Sequence, residues 1–208
     1  MLRLYFAPGA SSMAPHIALH EIGCRFEAVP VSLGRDENKT AEFLAINPLG
    51  QVPVLVIDGR PLTEVAGILF YLAKAYPEAG LLPDGVEDQA RVVSWMSFIA
   101  ATLHPARRQG LQPALKIYAL ADQRLCANDW AVGGRYSIAD THLFRLFWRF
   151  FNSLQPSREV FPNLIAHYER MMQRPAVIRT IEAEAAIGYE LPGQGRPERA
   201  PNGGGSSA

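Results

Sequence analysis

The chain has 208 residues, enough for one large domain or two small ones that each bury a core. Its 49% hydrophobic and 19% charged residues exclude a disordered chain. Twenty basic and twenty acidic residues cancel without a long run of one sign, so no nucleic acid and no anionic membrane is expected as a partner through bulk charge.

In chain order, Leu2–Phe6 reads as a first strand, turned by Pro8-Gly9. The short apolar run before Pro8 is not expected to be a signal peptide. Ser11 or Ser12 can cap a helix with Pro15 in its first turn, where a missing N–H costs nothing. That helix reaches about Glu21 and stops at Gly23. Phe26–Val31 is a second strand, followed by a polar loop over Gly34–Lys39 and a short helix Ala41–Ile46. Val54–Ile57, the turn Asp58-Gly59 and Arg60–Leu62 read as a hairpin. A helix from Glu64 to about Ala75 completes a β-α-β-α-β-β-α unit, whose sheet needs both parallel and antiparallel neighbours.

Pro77–Gly85 reads as a linker, and the remainder is helical in pattern. Apolar residues recur at helical spacing over Glu87–Leu103, Pro113–Asn128, Ile138–Phe151 and Phe161–Gln173. Ser137-Ile138-Ala139-Asp140 is a capping-box variant with Asp at the third helical place. Ile68–Ala73 and Leu143–Phe151 are too short to span a membrane, and the second contains Arg145 and Arg149. The expected fold is therefore α/β plus all-α. It divides into residues 1–77, a linker at 78–85, an all-helical domain at 86–187 and a Pro/Gly/Ser-rich, unstructured tail at 188–208.

The stretch Asn47-Pro48-Leu49-Gly50-Gln51-Val52-Pro53 leads into the third strand, and Thr63-Glu64 follows. A Pro at a strand entrance cannot donate to the ladder, and an X-Pro bond in a tight entry suits a cis peptide. Such a bend would turn the N–H and C=O of Val52 toward an extended peptide. This pattern, with the opening Leu4-Tyr5-Phe6-Ala7-Pro8-Gly9-Ala10-Ser11, resembles the cytosolic glutathione transferases, especially the bacterial beta class. The resemblance covers roughly residues 1–187 and implies a thioredoxin-like glutathione-binding domain followed by a helical bundle. It also implies a cytoplasmic homodimer that uses glutathione as co-substrate and no metal.

Carried over residue by residue, the resemblance implies that Gln51, Val52 and Pro53 hold the cysteinyl part of glutathione. Glu64 would meet the α-amino group, and the N–H of Val65 the α-carboxylate. Val65 stands where the family usually has a small hydroxyl residue. Arg35, with Lys39, could meet the glycyl carboxylate, and His104 matches a His facing the site, although Pro105 follows it in place of the usual Lys. Ser11 stands where the beta class carries Cys. It cannot form a mixed disulfide, but it can donate a hydrogen bond to a thiolate, with Tyr5 and then Ser12 as further hydroxyls.

Other residues read more plainly. Cys24 and Cys126 are expected as small buried hydrophobes in a reducing compartment. His16 and His20 have a metal-compatible spacing but no third ligand, so an exposed pair is expected. Phe144–Phe151 is mostly core, with one or two rings lining an apolar pocket. The function expected is attack of the glutathione thiolate on a small apolar electrophile. The alternatives are a glutathione-dependent isomerase or dehalogenase, or a non-catalytic binding protein on the same scaffold.

Overall fold

The computed structural model describes residues 1–190. Strands β1 (Leu2–Phe6), β2 (Phe26–Pro30), β3 (Val54–Ile57) and β4 (Arg60–Thr63) form one sheet in the order β2-β1-β3-β4. β1 runs parallel to β2 and antiparallel to β3, and β3 is antiparallel to β4. Asp58 (φ 47°) and Gly59 (φ 82°) close the hairpin with the two positive φ angles that its twist requires.

Side-chain alternation along β1 assigns the faces. Leu2, Leu4 and Phe6 join the core beneath α1 (Met13–Ile22) and α3 (Val65–Ala75), which pack against each other. Tyr5 points the other way, into a small cluster with Val31, Val54 and Phe43 of α2 (Ala41–Ile46). This is the mixed sheet and layering of a thioredoxin-like domain.

The span read as a linker is held in place. Leu81 is buried, and its carbonyl accepts the N–H of Ile138 at 2.9 Å. α4 (Val86–Phe98) continues through a π-type turn at Ile99–Leu103 into α5 (His104–Arg108). Pro105 has no N–H to return to the carbonyl four residues back, which loosens the ladder at that join. Then follow α6 (Leu111–Leu125), α7 (Ile138–Leu154), α8 (Pro162–Met172) and α9 (Pro175–Ile187). The last was not singled out in the sequence; Pro175 at its first turn is the start signal.

α7 is the axis of the helical half, buried from Ile138 to Phe150. Its capping box is present: the N–H of Ser137 donates to Asp140 Oδ2 at 2.8 Å, and that of Ala139 to Ser137 Oγ at 3.2 Å. Asp140 Oδ1 also accepts from the N–H of Ala131 at 2.7 Å and meets His167 Nε2 at 3.1 Å. One buried carboxylate thus ties α7 to α8 and to the loop before α7.

α1 packs on both α7 and α9, joining the two halves. Here His16 departs from expectation. It is buried rather than exposed, with Nδ1 3.0 Å from Glu184 Oε1 and its ring stacked on His20 at 5.0 Å. The other oxygen of Glu184 accepts the N–H of Gly9 at 2.7 Å. A metal-type His spacing on α1 is therefore occupied by a carboxylate from α9. The cysteines differ as well: Cys24 is half-buried and Cys126 is exposed at the end of α6, with φ 54°.

Residues 188–190, read as the start of an unstructured tail, are held by specific contacts. The hydroxyl of Tyr189 donates to the Ile181 carbonyl at 3.0 Å and its ring lies against Trp148. Glu190 accepts from Ser32 Oγ and from the N–H of Gly34. The rest of the tail reading, from residue 191, lies outside the described residues.

Candidate active site

Where β3 begins, the Val52-Pro53 peptide is cis and the ladder starts only at the Tyr5–Val54 pair. Val52 is thereby left outside the sheet, facing a cavity of about 490 Å³ between the two halves. Among the described residues no hydrogen bond uses the Val52 N–H. Its carbonyl is already engaged: Ser11 Oγ donates to it at 3.1 Å. A carbonyl has two lone pairs, so a peptide N–H can still be accepted there.

Glu64 lies between β4 and α3 at φ 66°, ψ 123°, a conformation that costs a non-glycine residue about 1–3 kcal/mol. This turn puts Glu64 and Val65 on the cavity wall at the helix start, where first-turn N–H groups lack intrahelical partners and suit an anion. Gln51, Val52, Pro53, Glu64, Val65, Ser11 and His104 therefore share one cavity, although they come from four parts of the chain.

Four expected residues fall elsewhere. Tyr5 does not line the cavity; it meets Phe43 edge-on at 5.9 Å, and its hydroxyl, after Glu27, supports the charge on Arg3. The odd-numbered residues of β1 face α2, which removes this hydroxyl from the thiol site. Arg35 is exposed and paired with Glu37 at 2.8 Å, and Lys39 pairs with Asp36. Ser12 is buried, with its hydroxyl donating to the Ala7 carbonyl and accepting the Ala7 N–H, both at 3.1 Å. α1 starts at Met13, and neither serine caps it through its side chain.

The opposite wall comes from the helical half. Burial, then Arg145 and the neighbouring Arg108 and Arg107, push the His104 pKa down to about 4. Burial, then Arg145 and His104, push His142 down to about 3. Both imidazoles are neutral at pH 7 and can serve as hydrogen-bond partners. A second space of about 300 Å³ opens beside Ser11 and Val52, with Arg107, Arg108, Arg145 and Arg149 around it. None of the Phe or Trp rings of α7 lines either space. Phe144, Phe147 and Phe150 are fully buried, while Arg145 and Arg149, one turn apart, take the face toward the first half.

The family models for the glutathione S-transferase N-terminal and C-terminal domains match residues 1–74 and 86–175. Glutathione S-transferase GstA of Escherichia coli O157:H7 is 32% identical over 88% of this chain and 98% of its own. The chain belongs to the glutathione S-transferase family. A glutathione transferase structure from Methylococcus capsulatus str. Bath is 35% identical, with a TM-score of 0.81, over 90% of this chain and all of that one. A sphingomonad glutathione S-transferase complexed with glutathione is also 35% identical, with a TM-score of 0.76, over 88% and 98% of the two chains.

Within this family fold, sequence reasoning singled out His104 on the helical wall but missed the other polar groups there. His142, Arg107 and Arg108 carry no local signature. Arg145 and Arg149 did leave one: two charges one turn apart within an aromatic, core-type helix. Glu184 left none, because its partners Gly9 and His16 lie more than 160 residues away.

Proposed function

We propose that the protein conjugates glutathione to a small electrophile, activating the thiol with Ser11. The observation that carries this reading is the single cavity shared by Ser11, the Val52 backbone and the start of α3. The tripeptide would run antiparallel to Val52, with its α-amino group at Glu64 and its α-carboxylate at the N–H of Val65. Gln51 would flank the cysteinyl part. The glycyl carboxylate would fall within reach of His104 and Arg108 rather than Arg35, which already holds Glu37.

The thiol starts near pKa ~8.5. Hydroxyl donation from Ser11 to the charged sulfur is worth about 1.5–3 kcal/mol, and each 1.4 kcal/mol or so lowers the pKa by one unit. The thiolate then attacks an electrophilic carbon: a C–S bond forms, the leaving group departs with the electron pair, and the thiol proton goes to solvent. Ala66, Ala100 and Pro105 supply an apolar boundary for the body of the electrophile. We further propose that residues 1–77 and 86–187 are the two domains, joined at 78–85, and that the protein is a cytoplasmic homodimer. Among the described residues no helix is long and apolar enough to cross a membrane.

Titration with glutathione by calorimetry, followed by turnover of 1-chloro-2,4-dinitrobenzene, tests the reading. Saturable binding with turnover is expected. Binding without turnover would replace conjugation by another reaction or by a carrier role, and absence of both would leave only the scaffold.

A further inference from the structure

The space of about 300 Å³ beside Ser11 presents a charge pattern that conjugation of a neutral electrophile does not require. Arg145, 3% exposed, donates through Nε to the Ala10 carbonyl at 2.9 Å and through Nη2 to the Gly9 carbonyl at 3.1 Å. Its Nη1 has no partner among the described residues, nor have the buried Nε atoms of Arg149, 8% exposed, and of Arg107.

Among the described residues no carboxylate comes within ion-pair distance of Arg107, Arg108, Arg145 or Arg149. Glu184, the carboxylate that acts on Arg145, is already held by His16 and Gly9. Glu190 borders the space but is held by Ser32 and Gly34. Tyr118 donates its hydroxyl to the Leu146 carbonyl, and burial raises its pKa, so it brings no negative charge. Burial, then Arg149 and Arg107, bring Arg145 down to about 9, still above neutral pH.

Three guanidinium groups gathered without an ion-paired acid are costly to keep out of water. A bound anion relieves that cost, and the planar fork of arginine suits a carboxylate. We propose that the second substrate carries a carboxylate, held by Arg107, Arg145 and Arg149 beside Ser11. This rests on the conjugating reading and narrows its substrate class to an apolar body bearing an acid.

Glutathione does not account for the group. One of its carboxylates suits the N–H groups at the start of α3, and His104 and Arg108, which line both spaces, suffice for the other. Arg145 and Arg149 line only the smaller space, together with Ala7, Pro8 and Ala10 of the β1–α1 loop.

The test is calorimetric binding of 3,5-dinitrobenzoate and of 3,5-dinitrobenzamide to protein saturated with S-methylglutathione, which fills the tripeptide site. The benzoate should bind at least tenfold more tightly. That preference should fall about tenfold in Arg149→Gln and recover in part in Arg149→Lys, with Arg107→Gln as the second variant if Arg149→Gln does not fold. Equal binding of acid and amide, or a preference that survives in the Gln variants, would overturn the proposal. So would a variant that weakens glutathione but not its glycyl ethyl ester, since the arginines would then serve the tripeptide. Turnover of 4-chloro-3,5-dinitrobenzoate separates the two readings. A benzoate preference without conjugation keeps the anion site and removes the transferase reading; conjugation without preference does the reverse.

Discussion

The two walls of the cleft recognise by different means. On the sheet side, the groups offered are mostly backbone: Val52 outside the ladder and the first-turn N–H groups of α3 at Val65. On the helical side they are side chains from separate helices, with His104, Arg107 and Arg108 on α5 and His142, Arg145 and Arg149 on α7. Backbone recognition depends on where the chain bends and tolerates changes such as Val65 in place of a hydroxyl residue. Side-chain recognition can be rewritten one residue at a time without moving the backbone. A constant tripeptide held mainly by the first wall, with only its glycyl end reaching the second, and a variable partner on the second is the division this favours.

If the walls are separable, damage to the support of the helical wall should cost stability before it costs glutathione binding. Asp140→Ala is the largest expected effect. It leaves the N–H of Ser137, the N–H of Ala131 and His167 without their buried acceptor, a loss of about 3–5 kcal/mol. For a chain of this size each kcal/mol shifts Tm by about 2–4 °C, so a fall of roughly 10 °C is expected. Glutathione affinity of the folded fraction should change by less than about twofold. A fall in Tm below about 3 °C would show that the capping box does not support α7, and a large loss of affinity would join the walls into one unit.

Glu184→Gln probes the join between them. An amide can accept from Gly9 or from His16 but offers N–H to the other, so about 1–3 kcal/mol should be lost. A fall of about 5 °C in Tm is expected. Arg145 still holds the Gly9 and Ala10 carbonyls, so KM for glutathione should stay within about twofold. A strong rise in KM with an unchanged Tm would make Glu184 part of the site rather than of the join.

How much could be read from sequence follows the same division. The cis bend before β3, the hairpin and the box at Ser137 and Asp140 were legible, because each is set by residues within four of one another. So was most of the sheet-side wall. The direction of Tyr5 depends on which face of β1 carries α2, and that is decided by packing with Phe43 and Val54. The partners of His16 and Glu184 meet only when α9 returns to α1. Arg145 and Arg149 looked like interruptions of an aromatic run until the rings around them were seen to face the core.

Ser11→Ala gives the smallest effect and the sharpest test of the sheet-side wall. Its hydroxyl hydrogen is now spent on the Val52 carbonyl, so donation to a thiolate must replace that bond. The gain of about 1.5–3 kcal/mol at a charged acceptor is offset by about 0.5–1.5 lost at the carbonyl, leaving about one pKa unit. Loss of the hydroxyl should raise the pKa of bound glutathione by that amount, read from the thiolate absorbance against pH. Since the thiol pKa rises, the thiolate fraction falls by the full factor only below both pKa values: conjugation should drop about tenfold at pH 6.5 and recover above pH 9. Tyr5→Phe should leave the profile unmoved, because that hydroxyl sits with Arg3 on the far face of the sheet. A larger effect from Tyr5→Phe would mean that the loop bearing Ser11 rearranges when the tripeptide binds. An unmoved profile in both would remove thiol activation from the sheet-side wall and turn attention to the arginines opposite.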